Sequence, residues 1–348
     1  MKKATAVALL SLAAVNVAAI GAGGYVLNSK MNRQHEALME TNADEVALLQ
    51  KRLSVVATQK IAAMPFYDFG ERVNVDITKY DPAGKYFDWS AVVEMVTDVD
   101  QDGVIFTAQR GSANRYDPIQ ICQYGLEQFS NYVETGDAKF LAEARHQADY
   151  IISAIDQATG LLPIPFDYQL PDVEPLKAPW ASATAQAQAL SLLSRFYKET
   201  GETVFLDAAK LAMKPLTVKV ASGGVVGEFF EQPFFEEYPT KIPSHALNGM
   251  MYAIIGLYDL WQNAADNSAQ ELYQQGIQTL LMALPYYDAN GVSFFWLIHI
   301  YGTSLPNYYD PASHVMHVKQ LQVIAQLESD PVFDYYLDQW TIYVNGEE

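Results

Sequence analysis

The segment Tyr132-Val-Glu-Thr-Gly-Asp-Ala-Lys-Phe-Leu141 returns 65 residues later as Tyr197-Lys-Glu-Thr-Gly-Glu-Thr-Val-Phe-Leu206, with Ala144 and Ala209 continuing the match. In both copies a run with helical apolar spacing stops at Thr-Gly and a second run starts at once. Glycine just past a helix end can take the left-handed conformation that closes the last turn. The repeat therefore predicts helical hairpins, the first from Ile119–Glu134 and Ala138–Ile155. Met250–Asn263 with Ala269–Met282 reads as a third copy with a longer turn, and Gln320–Leu327 with Phe333–Trp340 as a fourth. The period is longer than that of common solenoid repeats, so the links carry structure of their own. Those links, Gly160–Lys177, Val220–Pro243 and Tyr286–His314, are rich in aromatics, Pro and Gly. The fold class expected is mainly α, an (α/α) barrel or toroid of helical hairpins with the links around a cleft. Periodicity alone leaves an open superhelix as the rival.

Composition narrows the function classes. The 348-residue chain is 50% apolar and 18% charged, which suits a folded body with a large core. A formal net charge of −19 argues against general nucleic-acid binding. Cys122 is the single cysteine, so an intrachain disulfide framework and a cysteine-rich zinc site are excluded. Met1-Lys2-Lys3 precedes Ala4–Leu27, 24 residues without a charge. Residues 1–27 therefore read as an export signal or an uncleaved membrane anchor. The body is expected outside the cytoplasm: periplasmic or held at the inner membrane, with secretion as the alternative. The absence of an Asn-x-Ser/Thr sequon favours bacterial export over a glycosylated lumenal protein. Residues 28–63 read as a helical stalk, 64–117 as a small β-rich lead-in with runs such as Arg72–Asp76 and Val104–Phe106, and 118–348 as the (α/α) domain.

The densest polar-aromatic segment is Phe234-Phe235-Glu236-Glu237-Tyr238-Pro239-Thr240-Lys241-Ile242-Pro243-Ser244, where Ser244 is placed to cap the helix that follows. By residue type alone it is equally an acidic helix lead-in or a site on a loop. With Leu247-Asn248-Gly249-Met250-Met251-Tyr252 and Ile255-Gly256-Leu257-Tyr258-Asp259-Leu260, it resembles the signature of the D-glucuronyl C5-epimerases, the heparosan-glucuronate 5-epimerases of heparan sulfate synthesis. Pro118–Leu126 (including Gln120), Trp180–Ser191, His317–Gln322 and Asp330–Phe333 resemble further family segments in the same order. The likeness runs from about Gln109 to Val344.

The resemblance implies an (α/α)-barrel isomerase that interconverts D-glucuronate and L-iduronate in a polysaccharide, without an organic cofactor. Such chemistry removes the proton α to the C6 carboxylate and returns one from the other face, so it needs two acid/base groups. The family's glutamate and first tyrosine fall on Glu237 and Tyr238. Two other positions depart from the pattern. Phe295 stands where the family has a tyrosine, and Ile298 where an arginine precedes the aligned His299. A further family tyrosine aligns with Ser313 without a gap, or with Tyr309 if residues are inserted; Tyr309 is preferred. The expected catalytic set is Glu237, Tyr238, Tyr309 and His314, with Tyr116, Gln120, Trp180, Lys241, Asn248, His299, Tyr301, Tyr308 and His317 expected along the substrate. A uronate polysaccharide lyase and a non-catalytic uronan-binding protein are the competing functions.

Three readings rest on the residues alone. Arg110 and Arg115, beside Tyr116, are candidates for holding uronate carboxylates, weighed against surface ion pairs. His245, His299, His314 and His317 each read first as hydrogen-bonded structural residues, while the group of four points to one that titrates in the site. Asp98, Asp100 and Asp102 have the D-x-D-x-D-G spacing of a calcium loop, but Gln109 replaces the closing Glu, so a structural Ca2+ competes with a plain polar turn. The expected partner is a uronic-acid polysaccharide, with membrane contact through residues 1–27 if uncleaved, and room for a homodimer.

Overall fold

The structure, a computed structural model, describes residues 79–87, 98–108, 115–170, 173–289, 292–301 and 311–345. The chain divides into two units, Met1–Pro65 and Phe66–Glu348, and all described residues belong to the second. The expected signal or anchor, the stalk, the Arg72–Asp76 run, Arg110, Tyr308 and Tyr309 lie outside the described residues. Among the described residues no helix is long and apolar enough to cross a membrane.

Eight α-helices are described: α1 Pro118–Thr135, α2 Ala138–Ala154, α3 Ala183–Thr200, α4 Thr203–Met213, α5 Leu247–Ala264, α6 Asn267–Tyr287, α7 Pro311–Leu327 and α8 Pro331–Asn345. They pair in sequence as four hairpins, and the first helices of the hairpins pack on one another in the order α1, α3, α5, α7. This is the mainly α arrangement of paired helices expected from the repeat.

The two matching segments form the same turn. Gly136 (φ 71°) and Gly201 (φ 73°) are both left-handed C-caps, and their amides donate to the carbonyls of Tyr132 and Tyr197. Asp137 then caps α2 by accepting from the Lys139 amide. Its counterpart Glu202 makes no cap bond; its carboxylate takes a bidentate pair from Arg145 of α2 at 2.5 and 2.7 Å and ties the two hairpins together. Helix α3 is central: every residue from Ala183 to Phe196 is buried. Its small residues admit α5 so closely that a Cβ on Gly256 would stand 2.3 Å from the Ala187 carbonyl oxygen.

Inside the helices' far end, Arg195 and Asp259 form an ion pair of 2.6 Å with both side chains fully buried. The Tyr80 hydroxyl and the carbonyl of Gly84 share the guanidinium, so residues 79–87 are stitched to the inner helices. The remaining described lead-in is sparser in strand than expected. It holds β1 Asp98–Val99 paired antiparallel with β2 Ile105–Phe106, plus a bridge between Thr107 and Arg115. A second hairpin, β3 Val226–Phe229 and β4 Gln232–Phe235, lies in the link before α5. It delivers Glu236 and Glu237 directly after its last strand residue.

Candidate active site

Residues 236–249 are held between the N-terminal ends of α3 and α5. The Ala183 amide donates to the Glu236 carbonyl, and the Glu236 amide to Val225. Glu237 is buried at 6% exposure, and its Cβ sits over Gly249 of α5. Desolvation pushes its carboxyl up to about 7, the neighbouring polar groups of Tyr238, Asn248 and Thr184 pull it back, and the charge of Asp117 adds to the rise. A carboxyl poised there can give or take a proton near neutrality. Burial, followed by the nearby Glu237 charge, drives the Tyr238 phenol well above its ordinary value, so it stays a neutral donor.

Around this pair the links supply aromatic faces. Tyr168 stacks on Tyr238 at 5.5 Å and 8° between planes, Trp180 lies 6.2 Å from each, and Phe295 lies 6.4 Å from Tyr238. Trp180 is fixed by its indole N–H donating to Phe166. Arg115 lies flat over the Phe166 ring, 3.4 Å from its centroid, and donates to Asp117 at 3.1 Å. Glu237 Oε2, Asn248 Oδ1 and Gln320 Oε1 are buried without a hydrogen-bond partner, while Gln320 Nε2 donates to the Asn248 carbonyl. Orphaned buried oxygens are rare in folded proteins. Next to a titrating carboxyl and aromatic faces, they suit a ligand rich in hydroxyl donors.

Residues 155–342, more than half of the chain, match the family model of the D-glucuronyl C5-epimerase C-terminus. The chain belongs to this family. A D-glucuronyl C5-epimerase of Caenorhabditis elegans is 37% identical over 180 residues, which are 48% of this chain and 29% of the worm protein. The chain thus spans less than a third of that relative's length. An uncharacterized protein of Methanocaldococcus jannaschii is 24% identical over 214 residues, 58% of this chain and 67% of its own. Among solved structures, an unsaturated glucuronyl hydrolase from Streptococcus agalactiae superposes with TM-score 0.42 and 17% identity over 64% of this chain and 55% of that one. The cellobiose 2-epimerase of Bacillus thermoamylovorans gives 0.44 and 13% over 76% and 66%.

In this C5-epimerase-family chain the expected residues divide. Glu237, Tyr238, Trp180 and Asn248 come together, and Arg115 stands beside Asp117 at their edge. Lys241 is exposed, its amide tied to Glu174. His299 is 7% exposed; desolvation lowers it to about 4, and neither ring nitrogen has a partner. Tyr301 is 42% exposed with its hydroxyl on His245.

Others are committed elsewhere. His314 is fully buried: its Nδ1 meets the amide and hydroxyl of Ser293, and burial lowers it to about 4. His314 is thus engaged with Ser293 rather than open to solvent. His317 is equally buried; its Nδ1 shares the Ser293 hydroxyl, and its ring stacks on Phe295. Tyr116 is held by Asp100 and stacked on Tyr150, and Gln120 accepts from Thr107. Ser244 does not cap α5: Ala246 is the cap residue, and the Ser244 hydroxyl donates to Glu236.

The three aspartates make a turn. Asp100 accepts from the amides of Asp102 and Val104 and from Tyr116, while Asp98 and Asp102 are exposed. Among the described residues no group of three or more His, Cys, Asp or Glu converges to hold a metal ion, so the calcium expectation finds no ligand set there.

Sequence reading misses Tyr168 and Thr184. The aromatic character of the Gly160–Lys177 link is the only signal that could have pointed to Tyr168. Thr184 lies inside a family-like segment without anything local to mark it.

Proposed function

We propose that the chain catalyses C5 epimerisation of D-glucuronate to L-iduronate within a heparosan-like polysaccharide, working outside the cytoplasm. The single observation that carries this is Glu237: a buried carboxyl pushed up to about 7, next to Tyr238 and set among aromatic faces and orphaned acceptors. Glu237 takes or returns the C5 proton. Tyr168, Trp180 and Tyr238 offer flat apolar surface to sugar rings, whose C–H faces pack on aromatics while their hydroxyls point to Asn248 and Gln320. Arg115, set over Phe166 at the edge of this group, offers a fork suited to a carboxylate, although Asp117 already uses part of it.

Incubation with heparosan in deuterated water tests the reading. Epimerisation places deuterium at C5 and yields iduronate without shortening the chain. An unsaturated, ultraviolet-absorbing end would identify a lyase instead, and neither product would leave a binding protein.

A further inference from the structure

Glu236, the neighbour of the proposed base, is engaged in a different assembly. Its Oε2 accepts from the Ser244 hydroxyl and the His245 amide, each at 2.9 Å. Its Oε1 lies 2.7 Å from His245 Nδ1, an ion-pair distance with the ring N–H turned off the direct line. The other ring nitrogen, Nε2, is 2.6 Å from the Tyr301 hydroxyl. His245 and Glu236 are 0% and 1% exposed, whereas Tyr301 is 42% exposed. A buried carboxylate thus backs a buried imidazole that meets a phenol open to solvent.

This order is the one that activates a weak hydroxyl: an acid/base hydroxyl, a base within hydrogen-bond reach, and a third group that orients the base. The backbone is bent to make it. His245 has φ 45°, a conformation disfavoured for a side chain with a Cβ, and Tyr287 clamps it by donating to the His245 carbonyl at 2.6 Å. The titratable groups facing the ring are Glu236, Tyr301 and Tyr287, and the rings of Phe229 and Phe234 wall it.

The same segment lacks a hydroxyl where one is needed. Phe295 lies near Tyr238 without an OH, and residues 295–301 are pinned to the start of α5 by Leu247 N–H to the Phe295 carbonyl and Leu297 N–H to the Ser244 carbonyl. We propose that Glu236, His245 and Tyr301 form a proton relay that makes Tyr301 the second acid/base group of the C5 exchange, serving the face of the uronate that Glu237 does not. The proposal rests on the epimerase reading. In one direction the C5–H bond breaks and its proton goes to the Tyr301 oxygen as the phenol proton passes to His245 Nε2. The electron pair moves into the C6 carboxylate, and the imidazolium is countered by Glu236. Protonated Glu237 then gives its proton to C5 from the other face, and exchange with water resets both groups.

The test follows heparosan in deuterated water with wild type, Tyr301→Phe and Glu237→Gln, each checked for native circular dichroism. Tyr301 is exposed, so its loss of one oxygen leaves the core intact. Tyr301→Phe is expected to lose inversion by ~10²-fold or more while Glu237 still washes deuterium into one of the two epimers. Glu237→Gln is expected to keep wash-in for the other epimer. His245→Gln, a positioning change, should alter the pH profile of inversion as well as its rate, where a purely structural loss would lower the rate at every pH alike. Inversion at the wild-type rate in Tyr301→Phe overturns the relay and leaves the epimerase reading standing. No C5 exchange in the wild type overturns the reading beneath it.

Discussion

The Cβ of Glu237 rests directly over Gly249: a Cβ added to that glycine would stand 2.5 Å from it, closer than real Cβ atoms come. The proposed base is therefore positioned by a missing methyl group on the first turn of α5. Gly249→Ala should push Glu237 outward and lower kcat by ~10-fold or more, with the loss in KM smaller, since misplacing a reacting group is costly. Gly256→Ala, about two helix turns further on, meets the Ala187 backbone instead. It should destabilise the α3–α5 contact by about 1–3 kcal/mol in urea unfolding. Equal effects of the two changes on kcat would refute the distinction.

Glu237 should leave a signature in stability as well as rate. Its folded value of about 7 lies above the ordinary 4.5, so the folded state holds this proton more tightly than the unfolded one. That contribution is complete below pH ~4.5 and is lost as pH rises through ~7. At pH 8 the buried carboxylate costs roughly 3 kcal/mol, which Glu237→Gln avoids. The variant should therefore gain on the wild type in chemical denaturation as pH rises from 5 to 8, while C5 exchange through this group falls by ~10²–10⁴-fold. Proton abstraction by Glu237 in the wild type should rise through about pH 7.

Arg195 and Asp259 predict a loss without chemistry. Removing one partner of a fully buried ion pair leaves the other uncompensated. Asp259→Ala should cost about 3–5 kcal/mol, and the double change Arg195→Met with Asp259→Leu clearly less. A double-mutant cycle in urea reads this directly; equal costs would show that packing, and not the pair, is what the single change disturbs.

Gly136 and Gly201 should behave as twins. Both are left-handed, and a Cβ at either meets nothing within 4 Å, so Gly→Ala tests backbone conformation alone. Each should lose about 1 kcal/mol by thermal unfolding, and the two losses should add. A much larger loss at one position would mean that its turn does more than end a helix.

The aspartate turn offers a check on metal. Desolvation, the largest single influence, raises the Asp100 carboxyl, but hydrogen bonds from Val104, Tyr116 and Asp102 together outweigh it and hold the group below its usual value. Its support for the turn should be lost as pH falls through that lowered value. Asp100→Ala should loosen the turn equally with chelator and with calcium, read by hydrogen exchange at Val104. A calcium-dependent difference would restore a metal site.

What the sequence made legible follows from range. The Thr-Gly stops can be read because a left-handed cap is decided within a few residues. The family motif around Glu237 can be read because it is contiguous. Ser244 as a cap was misread because its hydroxyl is claimed by Glu236, which returns to it across a turn. His314 and His317 look available in the sequence, and only the fold shows Ser293 lodged between them. The stack of Tyr168 on Tyr238 joins two links some seventy residues apart, and no local spacing encodes it.

The plug at Arg195 bears on how a polymer could be handled. Tyr80, Asp259 and Gly84, gathered on that guanidinium, fill the space between the C-terminal halves of α3 and α5. Under the epimerase proposal a glycan meets Glu237 at the opposite end of these helices, beside the start of α3 and α5. A surface that grips a strand sideways has no need of a chain terminus. If the proposed substrate is held in that way, interior sugars of a long strand are as accessible as its last one.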